Sequence, residues 1–397
     1  MDTLNAPQGS FGLARVPRAG KRPLRAWDAA DEYLLTDLAE LFEDGQLPDS
    51  PTTLIVGDSF GALSCALAGL SPVVMTESAA GRQAISENLE RNGRPSVEFA
   101  SMTDPIATDT VFDLVVFKVP KSTAQLVDLL HRIRPHMATN TVILGAAMAK
   151  HIVPSVIDAL EAIIGPTTTS LAVKKARLLS VSVEPAGTSM PNPWPKQWKA
   201  HGLTLTNHGG GFSPNKLDAG TGLLLDAVRA IDEPITKGFD RESSESFSLV
   251  DLGCGNGVIG LRLARLLTAA GIPSHVSAID DSALAIAAAE QSWQASGLPE
   301  DSVSVSFHHA HRLANVVEPA SVDLVVVNPP FHDDRVLGDE TAWSMFVDAH
   351  KALRPGGRLI VVGNRHLAYH AKLKKIFGGV DNVASNAKFV VLESVRS

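Results

Sequence analysis

Short apolar runs alternate with segments of helical periodicity in the second half of the chain. Five runs predict buried strands, at residues 248–252, 276–280, 303–307, 323–327 and 358–363. Helical spacing covers 261–269 and 341–353, and the second segment stops at an Arg-Pro-Gly-Gly sequence (354–357) that predicts a sharp turn into the next strand. Strands alternating with helices predict a doubly wound α/β sheet with its site at the carboxyl ends of the strands.

The most specific motif is Asn328-Pro329-Pro330-Phe331, which follows the apolar run at 324–327. The Asn328 side-chain oxygen and the Pro329 carbonyl can accept both N–H groups of a planar exocyclic amine, which turns the nitrogen lone pair toward an incoming methyl group. The prolines remove backbone donors, and Phe331 offers a face for a flat ring to stack on. These four residues are predicted to be catalytic.

A glycine loop follows the first of these strands and contains Gly253, Gly255 and Gly257. The G-x-G-x-x-G spelling that begins at Gly255 also occurs in dinucleotide-binding proteins. Asp251 lies where a carboxylate can meet the cationic amino-acid end of S-adenosylmethionine through bound groups or water, whereas it would repel a pyrophosphate. Asp280 ends the next strand and can accept hydrogen bonds from ribose hydroxyls. With the motif at 328–331, this loop favours S-adenosylmethionine over NAD.

The first half of the chain repeats this pattern without its chemistry. Residues 53–61, 73–77 and 113–121 correspond to the glycine loop, to the strand ending at Asp280 and to the Asn-Pro-Pro-Phe segment. Ile55 replaces the acid Asp251, Ser59 replaces a loop glycine, and Lys118 replaces Asn328. A cationic lysine cannot accept a hydrogen bond from an amine. We therefore predict an α/β protein with two tandem Rossmann-like class I methyltransferase domains, of which the N-terminal one is degenerate.

Composition and charge limit the classes of partner, metal site and cellular compartment that fit this chain. The formal net charge of −8 argues against indiscriminate affinity for nucleic acid but leaves room for a local basic face. No segment has the length of a membrane span, and no Cys/His set has the spacing of a metal site. The two cysteines lie in different halves, which predicts no disulfide and a reducing cytoplasm. Residues 1–25 carry several cations and little hydrophobic pattern, which predicts a partly mobile basic arm.

With these residues in hand, the chain resembles the ribosomal RNA guanine-N2 methyltransferases built from two tandem methyltransferase-like domains, over nearly its whole length. Residues 328–332 are similar to their active-site signature, and the stretches 364–367, 372–378 and 388–392 are closer to the large-subunit (23S) enzyme than to its small-subunit relative. The resemblance implies S-adenosylmethionine as cofactor, ribosomal RNA as partner, methylation of a guanine N2 amine, a cytoplasmic location and a monomer without metal.

The residue predictions follow from the motifs and from the resemblance. The cofactor-binding residues are expected to be Phe212, Asp218, Gly220, Asp251, Gly253, Gly255, Asn256, Gly257, Asp280, Asp281, His309, Ala310 and Asn328. Candidate RNA contacts are the cations Lys118, Lys121, Lys174, Lys175, Arg177, Arg365, Lys372, Lys374 and Lys375. The predicted domains are 1–190 (degenerate, RNA-binding or stabilising), a linker and cofactor-covering segment at 191–220, and the catalytic domain at 221–397.

Several alternatives stay open from the sequence. An Asn-Pro-Pro-aromatic enzyme can act on adenine N6 or on a protein glutamine, although the phenylalanine at 331 and the repeated domain favour guanine. A small-subunit (16S) RNA enzyme, a non-enzymatic RNA-binding factor and an NAD-dependent oxidoreductase are the other candidates. The intact loop and strand-end residues argue against the last two.

Overall fold

The computed structural model describes residues 2–16, 24–185, 190–230, 246–330 and 335–397. The chain divides into two compact units, Met1–Trp194 and Pro195–Ser397. The division falls inside the predicted linker, and the rest of that segment contributes a hairpin and the start of a helix to the second unit. No helix among the described residues is long and apolar enough to cross a membrane.

The first unit is a hairpin followed by a seven-stranded mixed sheet of order β5-β4-β3-β6-β7-β9-β8. Its strands are β1 (Asp2–Ala6), β2 (Gly9–Leu13), β3 (Thr53–Val56), β4 (Val73–Met75), β5 (Glu98–Phe99), β6 (Phe112–Lys118), β7 (Met137–Met148), β8 (Thr167–Thr169) and β9 (Ala176–Val181). Its helices are α1 (Ala29–Glu43), α2 (Ala62–Ala66), α3 (Ala79–Arg91), α4 (Thr123–Ile133) and α5 (Pro154–Ile163).

The second unit has the same plan, a hairpin and then a sheet of order β14-β13-β12-β15-β16-β18-β17. Its strands are β10 (Lys196–Ala200), β11 (Leu203–Asn207), β12 (Phe247–Leu252), β13 (Ser274–Asp280), β14 (Val303–His309), β15 (Val322–Val327), β16 (Leu353–Asn364), β17 (Asp381–Ser385) and β18 (Phe389–Val395). Its described helices are α6 (Ala219–Ala230), α7 (Val258–Ala269), α8 (Ala283–Gln294), α9 (Arg335–Ala352) and α10 (Tyr369–Phe377).

The prediction of an α/β fold with two tandem domains is confirmed, and all five predicted strands are present. In both sheets the first five strands of this order pair in parallel, and the last two are joined by antiparallel pairing at the opposite edge. Both faces of these sheets are covered, which explains why the strands appear in the sequence as continuous apolar runs rather than as alternating ones.

Two predictions need correction. Residues 354–357 form no free turn but an irregularity inside β16, because β16 already pairs with Val322 at Leu353 and resumes pairing with Leu324 at Arg358. Within the predicted basic arm, β1 and β2 form a regular hairpin whose Leu4 and Phe11 are buried in the first core. Residues 17–23 of that arm lie outside the described residues.

The alternation of side chains along β15 and β16 sets the orientation of the strand ends. Val326 and Val362 pack in the core under α6 and α7, whereas Val327 and Val361 pack in the opposite core under α9 and α10. Because successive side chains in a strand point to opposite faces, Asn328 follows the α6 face of the sheet.

Candidate active site

The glycine loop joins β12 to α7 in a left-handed backbone conformation. Gly253, Gly255 and Gly257 have φ values of 76°, 55° and 79°, which side chains other than glycine rarely adopt. The Gly253 and Cys254 amides both donate to the Ile279 carbonyl, at 2.8 and 3.0 Å. A Cβ on Gly255 would meet no heavy atom within 4 Å. The loop is therefore held by hydrogen bonds to β13, and it has open space beside Gly255.

Asp280 is fixed at the end of β13 and lies beside this loop. Its Oδ2 accepts from the Gly255 amide and its Oδ1 from the Ser282 amide, both at 2.9 Å. The end of the neighbouring strand β14 adds His309, whose Nε2 lies 2.9 Å from the Asp281 carbonyl oxygen, and the next residue is Ala310, whose amide donates to the Asp280 carbonyl. This half-buried carboxylate is held in a fixed position at the end of β13, where it can accept hydrogen bonds from ribose hydroxyls.

Asp251 lies behind the glycine loop, near the end of β12. Its side chain is fully buried, and its Oδ2 accepts from the Gly260 amide of α7 at 2.8 Å. A Cβ on Gly260 would lie only 3.0 Å from that oxygen, so the close approach requires glycine. Burial raises the pKa of Asp251 to about 7. The carboxyl group therefore anchors α7 to β12. We do not propose a direct contact between Asp251 and the amino-acid end of the cofactor.

Asn328 is held by a residue that the sequence did not single out. Its Nδ2 donates to Thr221 Oγ1 at 2.9 Å, across 107 residues of chain. Its Oδ1 is buried and has no hydrogen-bond partner among the described residues. Thr221 therefore fixes the amide plane and leaves one unused acceptor at the end of β15. Pro329 is buried and Pro330 exposed; Phe331 lies outside the described residues.

Two of the predicted cofactor residues position Thr221. Asp218 caps α6, because its Oδ2 accepts from the Gly220 and Thr221 amides at 2.9 and 3.0 Å. A Cβ on Gly220 would lie 3.0 Å from the Phe389 ring of β18, so glycine is needed for α6 to approach the sheet. An aspartate three residues before a threonine at a helix start was the available sequence signal for Thr221.

Asn207 is a second residue that the sequence did not single out. This buried side chain uses its Oδ1 to accept from Asn256 Nδ2 at 3.0 Å and from Trp198 Nε1 at 2.8 Å. It thereby ties the glycine loop to hairpin β10–β11. Phe212, the remaining predicted cofactor residue, is half-exposed on the loop after that hairpin.

Lys118 has a different environment from the other predicted RNA contacts. Its ammonium lies 2.7 Å from Asp31 Oδ1 and 2.9 Å from Asp28 Oδ1, and its side chain is only 16% exposed. The two carboxylates raise its pKa against the effect of burial. A cation compensated in this way is not available to phosphate, and we therefore remove Lys118 from the proposed RNA contacts.

The remaining cations are at or near the surface. Lys121, Lys174 and Lys175 are exposed and Arg177 is half-buried; Lys174 also pairs with Glu32 at 2.7 Å. In the second unit the exposed cations are Arg365, Lys374 and Lys375, with Lys372 half-buried. Lys375 lies 5.4 Å from the centre of the Trp343 ring. No group of His, Cys, Asp or Glu suited to a metal ion occurs in the part of the chain that the structure describes.

Together these features match the requirements of S-adenosylmethionine. Open space beside Gly255 admits a ligand close to the backbone, and Asp280 offers a fixed acceptor to ribose. The Asn328 oxygen is a buried acceptor without a hydrogen-bond partner among the described residues, at the end of β15. Among the described residues no comparable arrangement is formed around Lys118, whose ammonium is paired with two carboxylates.

Comparisons with known proteins agree with this assignment. Residues 1–185 match the family model of the RLMG N-terminal domain, and residues 202–393 match the Methyltransferase small domain. In solved structures, the 16S rRNA N2 G1207 methyltransferase of T. thermophilus, in complex with AdoMet and guanosine, is similar over 100% of this chain and 98% of its own, with a TM-score of 0.73 and 21% identity. At that identity the likeness concerns the fold.

Curated relatives extend the similarity to the whole sequence. The ribosomal RNA large subunit methyltransferase G of Streptomyces avermitilis is 40% identical and aligns with 100% of this chain and 99% of its own. The protein of the same name from Stutzerimonas stutzeri is 40% identical, with 100% of both chains covered. The chain therefore belongs to the ribosomal RNA large subunit methyltransferase G family, whose members are S-adenosylmethionine-dependent enzymes.

Proposed function

We propose that this protein transfers a methyl group from S-adenosylmethionine to the exocyclic N2 amine of a guanine in large-subunit ribosomal RNA. The observation that carries the proposal is the Thr221–Asn328 hydrogen bond, which leaves Asn328 Oδ1 as a buried acceptor without a partner. An amine with two N–H groups satisfies such an acceptor, and the Pro329 carbonyl can take the second N–H. The names of the curated relatives support the large-subunit RNA as substrate.

In the proposed mechanism the protein binds and orients rather than exchanging protons. Asp280 and the open space beside Gly255 would hold the cofactor, which when bound supplies an electrophilic methyl group. Asn328 and Pro329 draw the two N–H bonds to one side, so that the nitrogen lone pair points away from them. The nitrogen forms the new N–C bond as the S–C bond breaks, and its proton then leaves to water. Alignment of these groups lowers the barrier more than any single contact does.

The first unit is proposed to contact RNA through a strained turn. Lys174 and Lys175 have φ values of 48° and 67°, in the left-handed region, and lie between the paired residues Val173 and Ala176. Two consecutive lysines in this conformation cost about 1–2 kcal/mol each, where glycine would cost little. We attribute the strain to a need for adjacent cations, with Lys121 and Arg177 as further phosphate contacts.

Mass analysis of nucleosides tests the reaction. The purified protein and the cofactor are incubated with protein-free 23S RNA, with assembled large subunits lacking the modification, and with 16S RNA. We expect one N2-methylguanosine per 23S molecule and none with Asn328→Ala. Methylation of 16S RNA alone, of adenine N6 or of a protein glutamine would replace the proposal with the corresponding alternative.

Salt dependence tests the role of the first unit. Neutralising Lys121, Lys175 and Arg177 together should flatten the plot of log affinity against log salt by about two units, since each lost phosphate contact removes about 0.7–0.9. An unchanged slope would leave the first unit with a stabilising role only.

We further propose that the two units arose by domain duplication, and that the protein acts in the cytoplasm as a monomer.

A further inference from the structure

Asn364 is a second buried amide close to the end of the catalytic strand. It is the last residue of β16, the parallel neighbour of β15, and it is 9% exposed. Its Oδ1 is buried without a hydrogen-bond partner among the described residues, as is that of Asn328. An unsatisfied buried acceptor costs about 1–3 kcal/mol, so two of them at the ends of adjacent strands call for a common explanation.

The two amides lie on the same face of the sheet. Val362 packs in the core under α6, and Asn364 follows it by two residues, so both side chains share that face. Val327 pairs with Val361, and continuing this register by one residue puts Asn328 beside Val362. Asn364 is then a diagonal neighbour, at about 7–8 Å between Cα atoms. Two side-chain amides can converge on one small planar ligand across that separation.

The first turn of α6 also lies beside Asn364. Asn364 pairs with Phe389 of β18, whose ring touches Gly220, the residue before Thr221. The chain then continues into the exposed Arg365, whose amide donates to the carbonyl of the exposed Lys388 at 3.0 Å. Asn364 therefore lies between the first turn of α6, which orients Asn328, and the two cations Arg365 and Lys388, which are suited to an RNA phosphate.

We propose that Asn364 Oδ1 accepts the N1–H of the target guanine and thereby determines base specificity; this inference rests on the proposed function. Guanine is the base whose exocyclic amine is adjacent to a ring N–H, and the same edge presents three donors to the two amide oxygens and the Pro329 carbonyl. Adenine and cytosine place a ring nitrogen acceptor next to the amine. That lone pair would face the Asn364 oxygen, which leaves both acceptors buried and unsatisfied.

2-Aminopurine separates this role from amine binding, since it keeps the N2 amine but has an acceptor in place of N1–H. Methyl transfer and binding are measured on two ligand pairs. The first pair is an RNA containing guanine or 2-aminopurine at the position identified by nucleoside analysis. The second is free guanosine or 2-aminopurine riboside, bound in the presence of S-adenosylhomocysteine. We expect the parent protein to prefer guanine by at least about 100-fold in kcat/KM.

Asn364→Ala should reduce that preference to about ten-fold or less, chiefly by loss of activity on guanine. Asn364→Asp, which keeps an acceptor, should retain most of it. The matched control is Asn315→Ala, which changes an exposed asparagine in the short 3₁₀ turn that precedes β15. Asn328→Ala should lower activity on both bases and leave their ratio nearly unchanged.

An equal guanine preference in the parent and Asn364→Ala would overturn the inference while leaving the proposed reaction intact. So would an Asn364→Ala protein that binds S-adenosylmethionine more weakly with an unchanged ratio, since the orphan oxygen would then belong to the cofactor site. If no ribosomal RNA is methylated, the proposed function fails. The nucleoside binding ratio still decides whether Asn364 distinguishes the two bases.

Discussion

Both units place a strand end beside the capped start of a helix, and the two places differ in chemistry. Asp28 caps α1 by accepting from the Ala30 and Asp31 amides, at 2.9 and 3.3 Å. Asp218 caps α6 in the same manner through the amides two and three residues later. In each unit the side chain three residues after the cap bonds to the residue that follows the apolar part of the strand. That partner is Lys118 in one unit and Asn328 in the other.

The difference shows how one scaffold becomes either a site or a structural contact. The Thr221–Asn328 pair is neutral and uses one donor, so an amide oxygen is left for a ligand. The Asp31–Lys118 pair is charged, and Asp28 supplies a second carboxylate to the same ammonium. A pair of this kind satisfies itself and leaves nothing for a ligand to complete.

The loop after β3 and the loop after β12 also differ in whether their polar groups are satisfied internally. In the first unit the buried Asp58 accepts from the amides of Gly61 and Ser64, both at 2.8 Å, so its carboxylate fills the turn. In the second unit Cys254 occupies the corresponding position, and the Gly255 amide is instead bonded to Asp280 from the neighbouring strand. A negative charge inside the loop satisfies the amides locally, whereas the open loop leaves space for a cofactor.

The largest expected contrast is all-or-none. The full chain should bind one S-adenosylmethionine and not two, because Lys118 and Asp58 fill the first site from within. Isothermal titration gives the stoichiometry directly. The Asp280→Ala protein should then bind with much lower affinity and leave no second site visible. A second equivalent of cofactor in either protein would break the comparison.

Lys118→Met should destabilise the first unit by about 3–5 kcal/mol, because removing one partner leaves Asp31 buried without compensation. Hydrogen exchange of amides in β3 and β6 measures the local free energy of opening in a chain with two units. The matched control is Lys121→Met, which removes an exposed cation and should change little. A loss below 1 kcal/mol would mean that the pair behaves as an exposed one.

Asn328→Ala should lower kcat by at least about 100-fold while cofactor affinity stays within a few-fold, since the lost contact orients the reacting amine. Single-turnover methylation and equilibrium binding separate the two effects. Full activity in this variant would make the strand end structural in both units and remove the difference between them.

Asp251→Asn should change how the stability of the second unit depends on pH. The pKa of Asp251 is raised to about 7 in the folded protein by burial, so the folded state binds a proton that the unfolded state releases above about pH 4. Stability from this group is therefore greatest at low pH and falls by up to about 1.4 kcal/mol per unit as pH rises toward 7.

The asparagine variant should lose that slope, and unfolding of the cofactor-free protein at pH 5, 6 and 7 measures it. Ile55, the residue at the corresponding position of β3, has no ionisable group, so the first unit provides an internal reference. Parallel pH profiles for the parent and the variant would show that Asp251 is ionised throughout.

Thr221→Val should lower kcat about three- to ten-fold, the value of one hydrogen bond of about 0.5–1.5 kcal/mol. Thr221→Ser keeps the hydroxyl and should restore activity. The decisive readout is the balance between kcat and cofactor affinity. A valine variant that loses only cofactor affinity would show that Thr221 holds ligand rather than Asn328.

The sequence was most informative where neighbours along the chain decide the structure. Apolar runs predicted five of the seven strands of the second sheet, and the glycines at 253, 255 and 257 predicted the loop, because left-handed φ values require them. Residues joined only by tertiary structure could not be found in this way. Thr221 lies 107 residues from Asn328, and Asp31 lies 87 residues from Lys118. The orientation of Asp251 depended on the approach of α7, which its type and position did not determine.

The buried Lys118 contact also affects how readily a sequence can change. Lys118→Asn alone would leave Asp31 and Asp28 without their cation, and Asp31→Thr alone would leave the ammonium with one carboxylate. Each single replacement passes through a protein that is less stable by several kcal/mol, whereas most domains have only 5–15 kcal/mol in total. The charged pair thus opposes the conversion of this strand end into an amide–hydroxyl pair by single substitutions.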